Sequence, residues 1–207
     1  MDFTETVILR LYAIMLSNAG YACAGQYKPY DNDIIEEDSS GRRRIRFHPT
    51  SAADTPEGMQ QLILAYRQAR DDANINQLLL IPCVILDFLC IHPFRDGNGR
   101  LSRLLSLFLL YRNGFDAGKY ISFEEQINLR MGNYYEALKR SSDGWHENQN
   151  DYSFFIMEFL TTVSKSDILK ILPDVSATTV ETVLGQMVKS GQIQKIGSGR
   201  ATRYIRK

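Results

Sequence analysis

The stretch from Leu78 to Ile91 constrains the fold more than any other. Only Pro82 and Asp87 interrupt an otherwise apolar run. Such a segment must be covered on every side, so it reads as a buried helix at the centre of a helical core. It falls short of the ~20 residues that span a bilayer, and no membrane partner is expected. Gly97-Asn98-Gly99 then breaks the pattern. Leu101, Leu104, Leu105 and Phe108 resume a helical spacing up to Arg112, and Asn113-Gly114 is a stop signal. Two apolar helices joined by a short polar loop thus organise the chain.

The flanks add further helices. Val7, Leu11, Ile14 and Met15 are spaced as one helical face between Thr4 and Ser17. Asp33–Glu36 and Arg44–Phe47 are strand-like pieces around the turn residues Asp38-Ser39-Ser40-Gly41, which predicts a β-hairpin. Thr55-Pro56-Glu57 predicts a helix capped by Thr55 and running to about Arg70. Others are predicted from Ser122 to Arg140 and from Tyr152 to Val163.

A second unit begins near Lys165. A short helix from Ser166 to Leu172, a longer one opened by Ser176, and strands at Gln192–Ile196 and Thr202–Arg206 outline a winged helix. The expected architecture is mainly α: a helical bundle with a β-hairpin flap over 1–160, then a small winged helix-turn-helix-like module over 161–207.

Composition excludes several function classes. The chain has 207 residues and zero net formal charge, with 24 basic and 24 acidic side chains, so no global pull toward nucleic acid or membrane exists. Its three cysteines, Cys23, Cys83 and Cys90, form no CxxC pair. A disulfide framework or structural zinc site is therefore not expected. Asp2 and Glu5 stand where a signal peptide would be basic, which predicts a cytoplasmic protein.

The loop and its flanks read Ile91-His92-Pro93-Phe94-Arg95-Asp96-Gly97-Asn98-Gly99-Arg100-Leu101-Ser102-Arg103. A helix start after a glycine-bearing loop presents free N–H groups and a positive dipole end, which together bind anions. Gly97 and Gly99 let a ligand approach the backbone. Arg100 and Arg103 carry forked donors for phosphate oxygens. Asp96 is a hard ligand for Mg²⁺, which pairs one carboxylate with substrate phosphates. Asn98 can donate to a phosphoryl oxygen that gains charge, and His92 can accept a proton from a hydroxyl. Each part alone has a bland reading as a structural histidine, a turn, a cap or a solvated arginine. Their joint spacing favours transfer from a nucleoside triphosphate.

The stretch resembles the signature of the Fic (Fido) family, HxFx(D/E)GNGRxxR, without a mismatch. Gly25-Gln26-Tyr27-Lys28, Thr55-Pro56-Glu57, Ile121-Ser122-Phe123-Glu124, Tyr134–Leu138 and Gly144-Trp145-His146 extend the likeness over about three quarters of the chain. The resemblance implies a Fic-type bundle and a protein adenylyltransferase. Such an enzyme moves AMP from ATP to a Ser, Thr or Tyr hydroxyl of a target protein and releases pyrophosphate. It assigns His92 as base, Asp96 as the Mg²⁺ ligand on the α- and β-phosphates, and Asn98 with the Gly97 and Gly99 amides to the α-phosphate. Arg100 and Arg103 would hold the outer phosphates, and Phe94 would anchor the loop. Asp31, Asn32, Asp33, Ile34 and Ile35 would form the target-docking flap. The same site run in reverse would be a deAMPylase.

One family feature has no match. The inhibitory string (S/T)xxxE(G/N) does not occur: Glu57-Gly58 has Ala53, and Glu147-Asn148 has Asp143. Inhibition would then come from a partner protein or an upstream segment, or be lost. At the C-terminus, residues 189–207 carry six basic residues and no acidic one. Lys195, Arg200 and Arg203 are the candidate DNA contacts of a nucleotide- or partner-sensing transcriptional regulator, the alternative to the enzyme. A structural or docking module fits the same residues.

Overall fold

The computed structural model describes residues 2–17, 25–37, 40–115 and 122–162, plus the backbone of residues 189, 194–196 and 203–205. The chain divides into two compact units, Met1–Val163 and Ser164–Lys207.

In the larger unit the order is α1 (Glu5–Leu16), β1 (Ile34–Glu37), β2 (Arg43–Phe47), α2 (Thr55–Arg70), α3 (Gln77–Ile91), α4 (Asn98–Arg112), α5 (Phe123–Leu129), α6 (Met131–Ser142) and α7 (Ser153–Thr162). The apolar run is α3, and it packs against α2, α4, α6 and α7. Asn76 caps it by accepting from the Leu78 amide at 2.9 Å. Asp87, the charge within the run, is satisfied by two donors, Trp145 Nε1 at 2.8 Å and Tyr152 Oη at 2.6 Å. Those bonds tie the central helix to the segment before α7. Among the described residues, no helix is long and apolar enough to cross a membrane.

One buried face and two helix boundaries differ from the sequence reading. Thr4 caps α1, accepting from Val7 N at 3.3 Å. The buried face, however, is Val7, Ile8, Tyr12 and Leu16, and Ile14 is 59% exposed. The aromatic Tyr12 decides this, because its ring is drawn into the loop described below. Thr55 is already helical rather than the cap, and its hydroxyl donates to Ser51 O at 2.7 Å. The helix expected over Ser122–Arg140 is broken at Arg130, whose backbone leaves the α region (φ −119°, ψ 23°). Its guanidinium grips Glu158 of α7 through two bonds of 2.8 and 2.9 Å. A buried carboxylate on another element thereby overrides local helix propensity.

The hairpin pairs β1 and β2 antiparallel, with Ile35 opposite Ile45 and Glu36 opposite Arg44. Glu36 also accepts from Lys139 Nζ at 3.0 and 3.1 Å, which fastens the hairpin to α6. In the smaller unit β3 (Gln194–Ile196) pairs antiparallel with β4 (Arg203–Ile205), inside the two predicted strands. Apart from Lys189, which is helical, the two predicted helices lie outside the described residues. Arg200 and the side chains of Lys195 and Arg203 also lie outside them.

Candidate active site

Helix α3 ends at His92, whose backbone is left-handed (φ 51°, ψ 58°). A left-handed residue with a Cβ costs about 1–2 kcal/mol, so glycine is the usual occupant of such a position. Here the imidazole is held in place: Nδ1 lies 3.2 Å from the Leu89 carbonyl. A carbonyl only accepts, so Nδ1 carries the hydrogen and Nε2 keeps the lone pair. Burial lowers the pKa to about 4, and the cations Lys28 and Arg46 add to the effect. His92 is therefore a neutral imidazole near pH 7, set at a helix end.

Behind it the loop is braced. Phe94 is fully buried and stacks on Tyr12, with ring centroids 3.7 Å apart. This is the anchoring role expected for it. Tyr12 also donates its hydroxyl to the Asp96 carbonyl at 3.1 Å. Lys28, 4% exposed, donates to Ile91 O at 3.2 Å and to Asn32 Oδ1 at 2.8 Å. Burial pushes its pKa down to about 8. Asn32 in turn donates to Phe94 O at 3.2 Å. Of the expected flap residues, Asn32 thus points into the loop. Asp31 accepts from the Ala52 amide at 2.6 Å, Asp33 pairs with His48 at 2.8 Å, Ile34 lines the cavity and Ile35 is exposed.

Asn98 is engaged within the loop itself. Its side chain is buried, and both ends of its amide close on Phe94: Oδ1 accepts from Phe94 N at 2.9 Å and Nδ2 donates to Phe94 O at 2.7 Å. In this arrangement it staples the loop. Gly97, with φ 80°, begins α4, and a Cβ there would sit 3.1 Å from Met15 Cε. Glycine meets both demands at once. The first helical bond runs from Leu101 N to Gly97 O at 2.8 Å. The amides of Asn98, Gly99 and Arg100 precede it and form the positive end of α4.

A cavity of about 210 Å³ lies between the hairpin, α3, α4 and α6. His92, Gly99 and Arg103 line it together. Arg103 Nη2 is 3.2 Å from Glu124 Oε1, and its buried Nε has no hydrogen-bond partner among the described residues. Asp96 and Arg100 do not line the cavity; both are exposed and pair with each other at 3.1 Å. The structure thus brings four of the named residues, Ile34, His92, Gly99 and Arg103, to one chamber, and sets Asp96 of the loop and Arg100 of the first turn of α4 outside its lining. Tyr134, Tyr135 and Arg46 also line the chamber, and the spacing of the loop residues gave no signal for them.

The model of the Fic/DOC family matches residues 2–110, just over half of the 207-residue chain and the whole of this loop. The chain belongs to the Fic/DOC family. A Fido domain-containing protein of Dictyostelium discoideum is 29% identical over 132 residues, 64% of this chain and 85% of its own length. A Fic domain containing signaling protein from Bacteroides thetaiotaomicron superposes with TM-score 0.55 at 26% identity over 89% of this chain. The chain spans 64% of that molecule's length. A Fic family protein from Desulfovibrio desulfuricans, 19% identical, has the same fold, with TM-score 0.61 over 99% of this chain and 69% of its own.

The residues of this Fic domain offer one carboxylate, Asp96, to a metal. Among the described residues, no cluster of three or more His, Cys, Asp or Glu side chains forms a cation cage. A single carboxylate is the donor that Mg²⁺ would take beside its waters and substrate phosphates. Asp96 and Arg100 would then separate, each taking up an opposite charge.

Proposed function

We propose that this Fic-family chain binds ATP at the start of α4 and transfers its AMP moiety to a hydroxyl side chain of a protein. The observation that carries this reading is the state of His92. Its lone pair sits on Nε2, in a chamber shared with Gly99 and Arg103. The free α4 amides and Arg103 would hold phosphate oxygens. Asp96 would bind Mg²⁺, which supplies charge neutralisation on the phosphates. The hydroxyl oxygen attacks the α-phosphorus as its proton passes to His92 Nε2. The bond from the α-phosphorus to the bridging oxygen breaks, and pyrophosphate leaves with the electron pair. The hairpin is a two-stranded sheet, so its outer edge can accept an extended target segment. For the smaller unit we retain the winged-helix assignment, on its sequence and the β3–β4 pairing.

The test uses ATP labelled on the α-phosphate, Mg²⁺ and cell lysate. Label is expected on protein with the wild type. His92→Ala is expected to lower it by about 10²–10⁴-fold, the range of general-base catalysis, with ATP affinity within about threefold. His92→Asn is the control for folding, since Asn tolerates the left-handed backbone. Full labelling by either variant sinks the assignment of the base.

A further inference from the structure

One residue of the chamber answers to none of the roles above. Arg46 comes from β2, not from the loop. In the hairpin register Ile34 faces Phe47 and Ile35 faces Ile45. Arg46 therefore has no opposite number on β1: it is the extra residue of a β-bulge. Successive side chains of a regular strand point to opposite faces. Here Arg46 and Phe47 both line the cavity, as a bulge that re-aims one side chain allows.

The charge on Arg46 is poorly matched by the protein. Its neighbours on β2 are paired, Arg43 with Glu37 at 2.9 Å and Arg44 with Glu36 at 3.4 Å. Among the described residues no carboxylate forms an ion pair with Arg46: Glu36 acts on it only electrostatically and is already shared between Arg44 and Lys139, and no Asp or Glu lines the cavity. Burial holds its guanidinium below its ordinary range. A half-buried cation whose nearest carboxylate is shared with two other cations is costly, and an anionic ligand offsets the cost.

We infer that Arg46 is a phosphate-binding residue of the nucleotide site, delivered from the hairpin by the bulge. It would face Arg103 and the α4 amides across the chamber, so that a phosphate is gripped from both sides. The inference rests on the nucleotide-binding reading above and adds a ligand that the loop motif does not contain. It also makes hairpin placement part of nucleotide binding, since Glu36 of the same hairpin is fastened to Lys139 of α6.

The experiment measures the affinities of ATP, adenosine and inorganic tripolyphosphate for the wild-type chain, Arg46→Met and Arg46→Lys. A forked, charge-assisted contact is expected to be worth about tenfold or more in affinity. Arg46→Met should weaken ATP and tripolyphosphate by about that factor and leave adenosine unchanged, while Arg46→Lys loses less. Because a poorly solvated charge is removed, Arg46→Met should melt no lower than the wild type; should it fail to fold, Arg46→Lys alone decides. Equal loss for ATP and adenosine, or unchanged ATP binding, overturns the role of Arg46 while leaving the nucleotide reading intact. A wild-type chain that binds neither ATP nor tripolyphosphate overturns both.

Discussion

Removing the Asn98 amide separates two roles for that residue that look alike in a sequence. In the structure the side chain satisfies Phe94 twice, at 2.9 and 2.7 Å, inside the core. In Asn98→Ala, Phe94 N–H loses its acceptor, while Phe94 O keeps the Asn32 amide at 3.2 Å. One buried donor is thus left unpaired, at a cost of about 1–3 kcal/mol, and a second bond worth about 1 kcal/mol is lost. The total, about 2–4 kcal/mol, should lower the melting temperature by roughly 4–16 °C for a domain of this size. Thermal melts without nucleotide read this directly. Asn98→Asp is the companion, because it keeps the acceptor for Phe94 N–H but sets an oxygen against Phe94 O. It should melt below the wild type as well. If Asn98→Ala melts within about 1 °C of the wild type yet loses ATP binding, the residue contacts the ligand directly and the stapling role is wrong.

Two further outcomes follow from the site. His92 has a folded pKa of about 4 against an ordinary value of ~6.5. The folded state therefore binds fewer protons, and this contribution to stability is present above about pH 6.5 and lost as pH falls toward 4. Urea melts at pH 7 and pH 5 should show a smaller loss for His92→Ala than for the wild type, and kcat/KM of the wild type should hold its value below pH 6.5. Glu124→Gln should free Arg103 for phosphate. The carboxylate is largely exposed, so the pair is worth about 0–1 kcal/mol, and ATP should bind up to about fivefold tighter in a titration. A weaker affinity would mean that Glu124 supports the site instead.

Much of this molecule is legible in the order of its residues because the controlling interactions are local. The apolar run of α3, the hairpin turn after β1, and the glycine that begins α4 are each set by neighbours within a few positions. The spacing from His92 to Arg103 likewise defines an anion-binding helix start, because the loop and the first turn of α4 are contiguous. Other features depend on groups distant in the chain. Asn98 has the residue type of a phosphate donor, and only the packing of Phe94 against Tyr12 reveals that its amide is already used. Arg46 looks like one more arginine in a charged strand until a slipped register turns it into the chamber. Arg130 breaks a helix for a carboxylate 28 residues away. Chemical capability was therefore written in the one-dimensional pattern, since it follows from side-chain type and short spacing. Which of those groups face a ligand was decided by the tertiary structure, since burial and long-range pairing determine which donors and charges remain unspent.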